Sequence, residues 1–223
     1  MYDLEKAKIT NLAAQFYPLH GQNSWDHVTQ VTSRMGAMTK KLENRELTTL
    51  EFAAGMLHDC SVKPRQSKES HGYWSAEIAD RFVRSLSIFT WDELQVLHRA
   101  IWEHELLDKT DGPFSSTVGD LLASGDANPP DLAWILNKSW CWGIAHGLSE
   151  SERITNIVTR MPKVYGSAAP TGYPQYYRRY YGQRLIDMQK AFDSLTPEIA
   201  YQVVFDYRSA HGLVGDEVRM PNE

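Results

Sequence analysis

FAAGMLHDC, residues 52–60, decides how this chain reads. The apolar run Phe52 to Leu57 has the look of a buried helix, and it closes on the pair His58-Asp59. A helix that ends in adjacent His and Asp can aim an imidazole nitrogen and a carboxylate oxygen at one cation. Working outward, other candidate ligands stand on both sides: His27 upstream, then His71, His104 and Asp126. The intervals are 31 residues from His27 to His58, 12 from Asp59 to His71, 33 from His71 to His104 and 22 from His104 to Asp126. Such intervals are too long for a local clip like a zinc finger. They suit a bundle in which separate helices each send a side chain inward.

The rest of the chain supports a helical reading. Leu4, Ala7, Ile9, Leu12, Ala13 and Phe16 form a helical stripe over residues 2–17. Ser24 is a candidate N-cap for a second helix with His27 in its first turn, and Val28, Val31, Met35 and Met38 continue its stripe. Thr48 and Thr49 precede the third helix. Residues 61–70 read as a polar loop, 71–86 as a helix, and 91–105 as another, opened by the capping box Thr90 with Glu93. A shorter helix near 117–124 leads to Asp126. Pro129-Pro130 starts one that runs to about 147, and residues 150–160 continue in helix. The segment 161–175, with three prolines and two glycines, reads as an exposed loop. Helices near 176–194 and 197–210 finish the chain. No strand pattern or internal repeat stands out, so the expected fold class is all-α: a helical bundle with a metal site in its core. Residues 1–160 form its helical core, with the motifs between about 20 and 148. Residues 161–223 form a C-terminal loop and helices that pack on or near the site.

Composition bounds the function. The 223 residues are 42% hydrophobic, enough for a core, and the net charge of −5 gives no global basic field to attract nucleic acid. Cys60 and Cys141 make no disulfide framework and read as core thiols. The start MYDLEKAKIT lacks the apolar stretch of a signal peptide, and no segment approaches the roughly 20 apolar residues of a membrane span. The expectation is a cytoplasmic protein with no membrane partner.

The order H27…H58-D59…D126 resembles the signature of the HD-domain metal-dependent phosphohydrolases over residues 20 to 148. His71 and His104 resemble the second-metal ligands of the dinuclear members. The resemblance implies that His27, His58, Asp59 and Asp126 bind one metal, and that Asp59 bridges to a second held with His71 and His104. A histidine and carboxylate set without thiolate suits divalent Fe, Mn, Co, Ni, Zn or Mg. His98 competes with His104, but six residues place it about 120° away on the same helix, and His104 is preferred. Asp126, after the helix-ending LLASG, is preferred to Asp120. Two departures stand out. HDCSVK at 58–63 lacks the family's usual glycine and has its lysine one place late, and WEHELLDKTDGP at 102–113 lacks the GYP triplet of the cyclic-dinucleotide hydrolases.

The chemistry implied is hydrolysis of a phosphoester or phosphoanhydride in a nucleotide or other small phosphorylated metabolite. Two cations bridged by a carboxylate lower the pKa of bound water and clamp phosphoryl oxygens. Asp59 and Lys63 are the expected catalytic residues. Lys63, Arg65 and Lys68, on the loop after the HD pair, are candidates for holding phosphate. Residues 173–184, YPQYYRRYYGQR, pack five tyrosines and three arginines into twelve positions. Arg178 and Arg179 there could pair with phosphate beside stacked bases; equally, the tyrosines could pack on the core while the arginines face water. Trp25 and Trp74 stand near proposed ligands. The alternative on the same ligands is a mixed-valent di-iron oxygenase.

Overall fold

A computed structural model describes residues 2–17, 24–61, 71–104, 114–169, 173–213 and 215. The described residues form helices joined by turns, with no strand among them, and the all-α expectation holds. None of these helices is long and apolar enough to cross a membrane. In order they are α1 (Tyr2–Ala13), α2 (Trp25–Glu43), α3 (Thr49–Leu57), α4 (His71–Val83) with a 3-10 turn (Arg84–Leu86), α5 (Trp91–Glu103), α6 (Thr117–Asp126), α7 (Leu132–Ala145), α8 (Glu150–Tyr165), α9 (Gln175–Tyr181), α10 (Gln183–Asp193) and α11 (Pro197–Ala210).

Local chemistry explains most boundaries. Ser24 caps α2 through the His27 N–H, and Asn44 ends that helix in the left-handed region at φ 53°. Thr48 with Glu51, Thr90 with Glu93 and Ser149 with Glu152 are reciprocal capping boxes opening α3, α5 and α8. Glu51 also takes both Arg45 terminal nitrogens at 2.7 Å, which lets a carboxylate remain buried.

The chain divides into two compact units. One is Met1–Ala127 together with Tyr173–Tyr180; the other is Asn128–Gly172 with Tyr181–Glu223. The sequence reading draws its line at 160 instead. The structure groups α7 and α8 with α10 and α11, because the buried faces of these four helices pack on one another around Leu136, Ile157, Phe192 and Val204. In the first unit α3 is buried nearly all round and is flanked by α1, α2, α5 and α6. Met35, Met38, Leu57, Leu97, Ile101, Leu121 and Leu122 fill the space between these helices.

Two expectations need correction. The exposed loop assigned to 161–175 starts too early, because α8 continues through Pro162 to Tyr165. Proline there removes one backbone donor near the helix end, and burial of Ile157 and Met161 on the same turns offsets the loss. The helix assigned to 176–194 is two helices, broken at Gly182, whose φ of 46° favours a residue without Cβ.

Candidate metal centre

All six candidate ligands stand at helix ends within the first unit. His27 is in the first turn of α2 and His71 opens α4. His58 and His104 are the C-caps of α3 and α5, Asp59 follows His58, and Asp126 ends α6. The two C-cap histidines share one geometry, φ −60° and ψ −29°. Each places its Nδ1 against a carbonyl three residues back: His58 on Gly55 at 2.9 Å and His104 on Ile101 at 2.5 Å. A carbonyl only accepts, so both Nδ1 atoms carry hydrogen. Both rings therefore turn Nε2 toward the cluster, and in the neutral form that nitrogen carries the lone pair, the orientation that metal-ligating histidines are usually given.

Asp59 lies at the centre, and its two oxygens face different histidines. Oδ2 lies 3.3 Å from His27 Nε2 and 3.5 Å from His58 Nε2. Oδ1 lies 2.7 Å from His71 Nε2 and 3.5 Å from His104 Nε2. Asp126 Oδ1 adds a second carboxylate 3.3 Å from His27 Nε2 and 3.8 Å from His58 Nε2. His58, Asp59 and His104 are buried, while His71, His27 and Asp126 are partly open. Two triads, His27–His58–Asp126 and His58–Asp59–His104, have ligand atoms close enough together to hold a metal ion.

Electrostatics favour a cation. Burial opposes the charge on Asp59, yet the surrounding imidazoles hold its carboxyl well below the usual carboxylate range. Asp126 is likewise resisted by burial but held at about 2, chiefly by the His27 hydrogen bond. Burial keeps His58 below its ordinary value and neutral. Burial also works against protonated His27 and His104, but their carboxylate partners overcome it, taking His27 to about 9. Two anions thus hold protons on imidazoles at the place where a divalent cation would neutralise them. The donor set of oxygen and imidazole nitrogen, with both Nδ1 atoms satisfied, fits such an ion. The Cys60 thiol takes no part. Burial pushes it up to about 12, and its Sγ donates to the Ser75 carbonyl at 3.4 Å.

Other expectations sort plainly. His98 pairs with Glu77 at 3.1 Å on the surface of α5 and stays outside the cluster. Asp120 caps α9 instead, accepting the Gln175 and Tyr176 N–H groups at 2.8 Å each, while Ser124 accepts that of Tyr177. Asp120 and Ser124 lie about 120° and about 160° around α6 from Asp126, so α9 docks on a different face of α6 from the cluster. Tyr176 and Tyr177 are buried there and Arg178 and Arg179 are exposed, which does not bring the arginines to the candidate ligands. Lys63, Arg65 and Lys68 lie outside the described residues. Trp25 lines a cavity of about 400 Å³ with Thr29, Thr32, Phe52 and Met56; helical geometry puts this face of α2 opposite His27. Trp74 is half-buried against Tyr73.

Three residues that hold the candidate ligands in place were not singled out from sequence. Arg34 Nε donates to the Gly125 carbonyl at 2.6 Å, immediately before Asp126. Gly55 lets α3 approach α2 so closely that a Cβ would lie 2.6 Å from Thr32 Oγ1. Ser75 Oγ accepts the Ser61 N–H at 3.3 Å, just after the His-Asp pair. Spacing offered a signal for two of them, since Arg34 falls on the His27 face of α2 and Ser75 on the His71 face of α4.

No family model matches the chain, and no curated protein or solved structure matches it either.

Proposed function

We propose that this chain is a metal-dependent phosphohydrolase of the HD type, cleaving a phosphoester or phosphoanhydride in a nucleotide or other small phosphorylated metabolite. The observation that carries the reading is Asp59, whose Oδ2 faces His27 and His58 while Oδ1 faces His71 and His104. A carboxylate so placed suits a bridge between two divalent cations. His27, His58 and Asp126 would complete one side, and His71 with His104 the other. Bound cations would acidify water and neutralise phosphoryl oxygens.

The chain's own part is orientation. The Gly55 and Ile101 carbonyls fix two imidazole tautomers, and the buried pair His58-Asp59 excludes water from the inner side of the cluster. Phosphoryl transfer depends mainly on such positioning and charge stabilisation. Lys63, Arg65 and Lys68 follow the pair in sequence and are proposed to hold phosphate oxygens, with Lys63 also proposed as catalytic. The two buried free cysteines suit a reducing cytoplasm.

The test is metal content per chain, with phosphate release across a nucleotide panel with and without EDTA. Near two ions and chelator-sensitive release support the reading. Two irons, O₂ uptake and no release would replace it with the oxygenase. Asp59→Ala should abolish metal uptake and turnover while far-UV circular dichroism stays helical; an active variant overturns the assignment.

A further inference from the structure

Ser75 occupies the position one turn after His71 on α4 and is fully buried. Residues four apart on a helix share a face. Its Oγ accepts the Ser61 N–H at 3.3 Å and lies 3.5 Å from His71 Nε2. Its carbonyl accepts the Cys60 S–H at 3.4 Å. One residue therefore grips both positions that follow His58-Asp59 and also stands against the ring of His71. Those contacts join the turn carrying Asp59 to the helix carrying His71, whose Nε2 lies 2.7 Å from Asp59 Oδ1.

A hydroxyl has two lone pairs and one hydrogen. The Ser61 amide uses one lone pair. At 3.5 Å the contact with His71 Nε2 is a weak one, and that nitrogen already faces Asp59. Holding the turn is thus the hydroxyl's main task.

We infer that Ser75 is the positioning residue for the cation side formed by Asp59 Oδ1, His71 and His104. This rests on the two-cation reading above. Ser75 sets the separation of Asp59 and His71 before a cation arrives, and it has no comparable contact with His27 or Asp126 among the described residues. Its removal should weaken one ion selectively.

The experiment is Co²⁺ titration of the full chain, followed by dialysis and visible absorbance, with thermal melting alongside. Wild-type protein should take up two ions. Ser75→Ala should keep the first and bind the second about 10–100-fold more weakly, the usual range when a group that orients a metal ligand is lost. Because alanine removes the hydroxyl that accepts the Ser61 N–H and could impair folding, Ser75→Thr and Ser75→Val form a second comparison with equal shape. Threonine should keep the second ion and valine should lose it. In a His71→Ala background, Ser75→Ala should weaken Co²⁺ binding no further.

Equal weakening of both ions, in step with a lowered melting temperature, would show a merely structural serine and overturn the inference. So would a valine variant with wild-type affinity for both ions; in that case the two-cation reading survives. Wild-type protein that takes up a single ion removes that reading, and the inference goes with it.

Discussion

His27 couples the cluster to pH. Burial lowers its proton affinity, but hydrogen bonds to Asp126 and Asp59 more than reverse this, and its pKa rises from 6.5 to about 9. Between those values the folded metal-free chain keeps a proton that the unfolded chain has lost. The stabilisation is therefore complete below pH 6.5 and disappears as pH rises through about 9. A cation must evict the same proton, so uptake has the opposite slope, strengthening by about tenfold per pH unit for one displaced proton. EDTA-treated protein should melt lower at pH 9 than at pH 6.5, while Co²⁺ affinity from chelator competition rises. A metal-free melting temperature that climbs across this window would contradict the assignment. Of the residues involved, His58 and Asp59 were legible as candidate ligands because a histidine and an aspartate closing an apolar run are unusual. Helical angle put His98 and His104 on different faces, and the contact of His98 with Glu77 leaves His104 as the one in the cluster. Ser75 and Arg34 were not picked out, since a serine or arginine inside a helix ordinarily faces water. Their roles come from partners 14 and 91 positions away in the chain.

Helix ends were the most legible elements, because caps are local chemistry: Ser24, Thr48 and Thr90 all open helices as their side chains predict. What capping residues cannot reveal is how closely helices approach. Gly36 and Gly55 both lie inside helices and look alike in sequence. A Cβ at Gly36 would meet only Leu47, at 3.8 Å, whereas one at Gly55 would meet Thr32 Oγ1 at 2.6 Å and Met35 Sδ at 3.0 Å. Gly36→Ala should therefore gain helix propensity, about 1 kcal/mol, which for a chain of this size is a rise of about 2–4 °C in melting temperature. Gly55→Ala should lose stability, since overpacking costs about 1–3 kcal/mol. It should also weaken Co²⁺ binding, because the Gly55 carbonyl orients His58. Thermal melts and metal titrations of the two variants check this directly; equal behaviour would mean α3 is free to shift away from α2. The same blindness to packing explains α8, where proline argued locally for a loop and burial of Met161 extended the helix.

At the scale of the molecule, the division into units is hidden from sequence because Tyr173–Tyr180 returns to the first unit after an excursion of 45 residues, Asn128–Gly172. The tyrosine- and arginine-rich run that begins at Tyr173 does not by itself announce that return; hydrogen bonds from the start of α9 to Asp120 and Ser124 do. The division has a measurable consequence. Every candidate ligand belongs to Met1–Ala127, and the ligands come from α2 through α6. Cations bound by these ligands would have to be released before the helix ends that carry them open locally. Binding to the folded form alone adds about 2.7 kcal/mol at a ligand concentration a hundred times the dissociation constant. That gain should appear as slowed amide exchange wherever opening breaks the cluster. Co²⁺ should therefore reduce deuterium uptake across α2, α3, α4, α5 and α6, and EDTA should restore it. Uptake in α7, α8, α10 and α11 should stay the same, because their sub-global openings leave the ligands in place. Equal protection of both sets would show that the units open together, and unchanged uptake in α3 would show that no cation is held at His58 and Asp59.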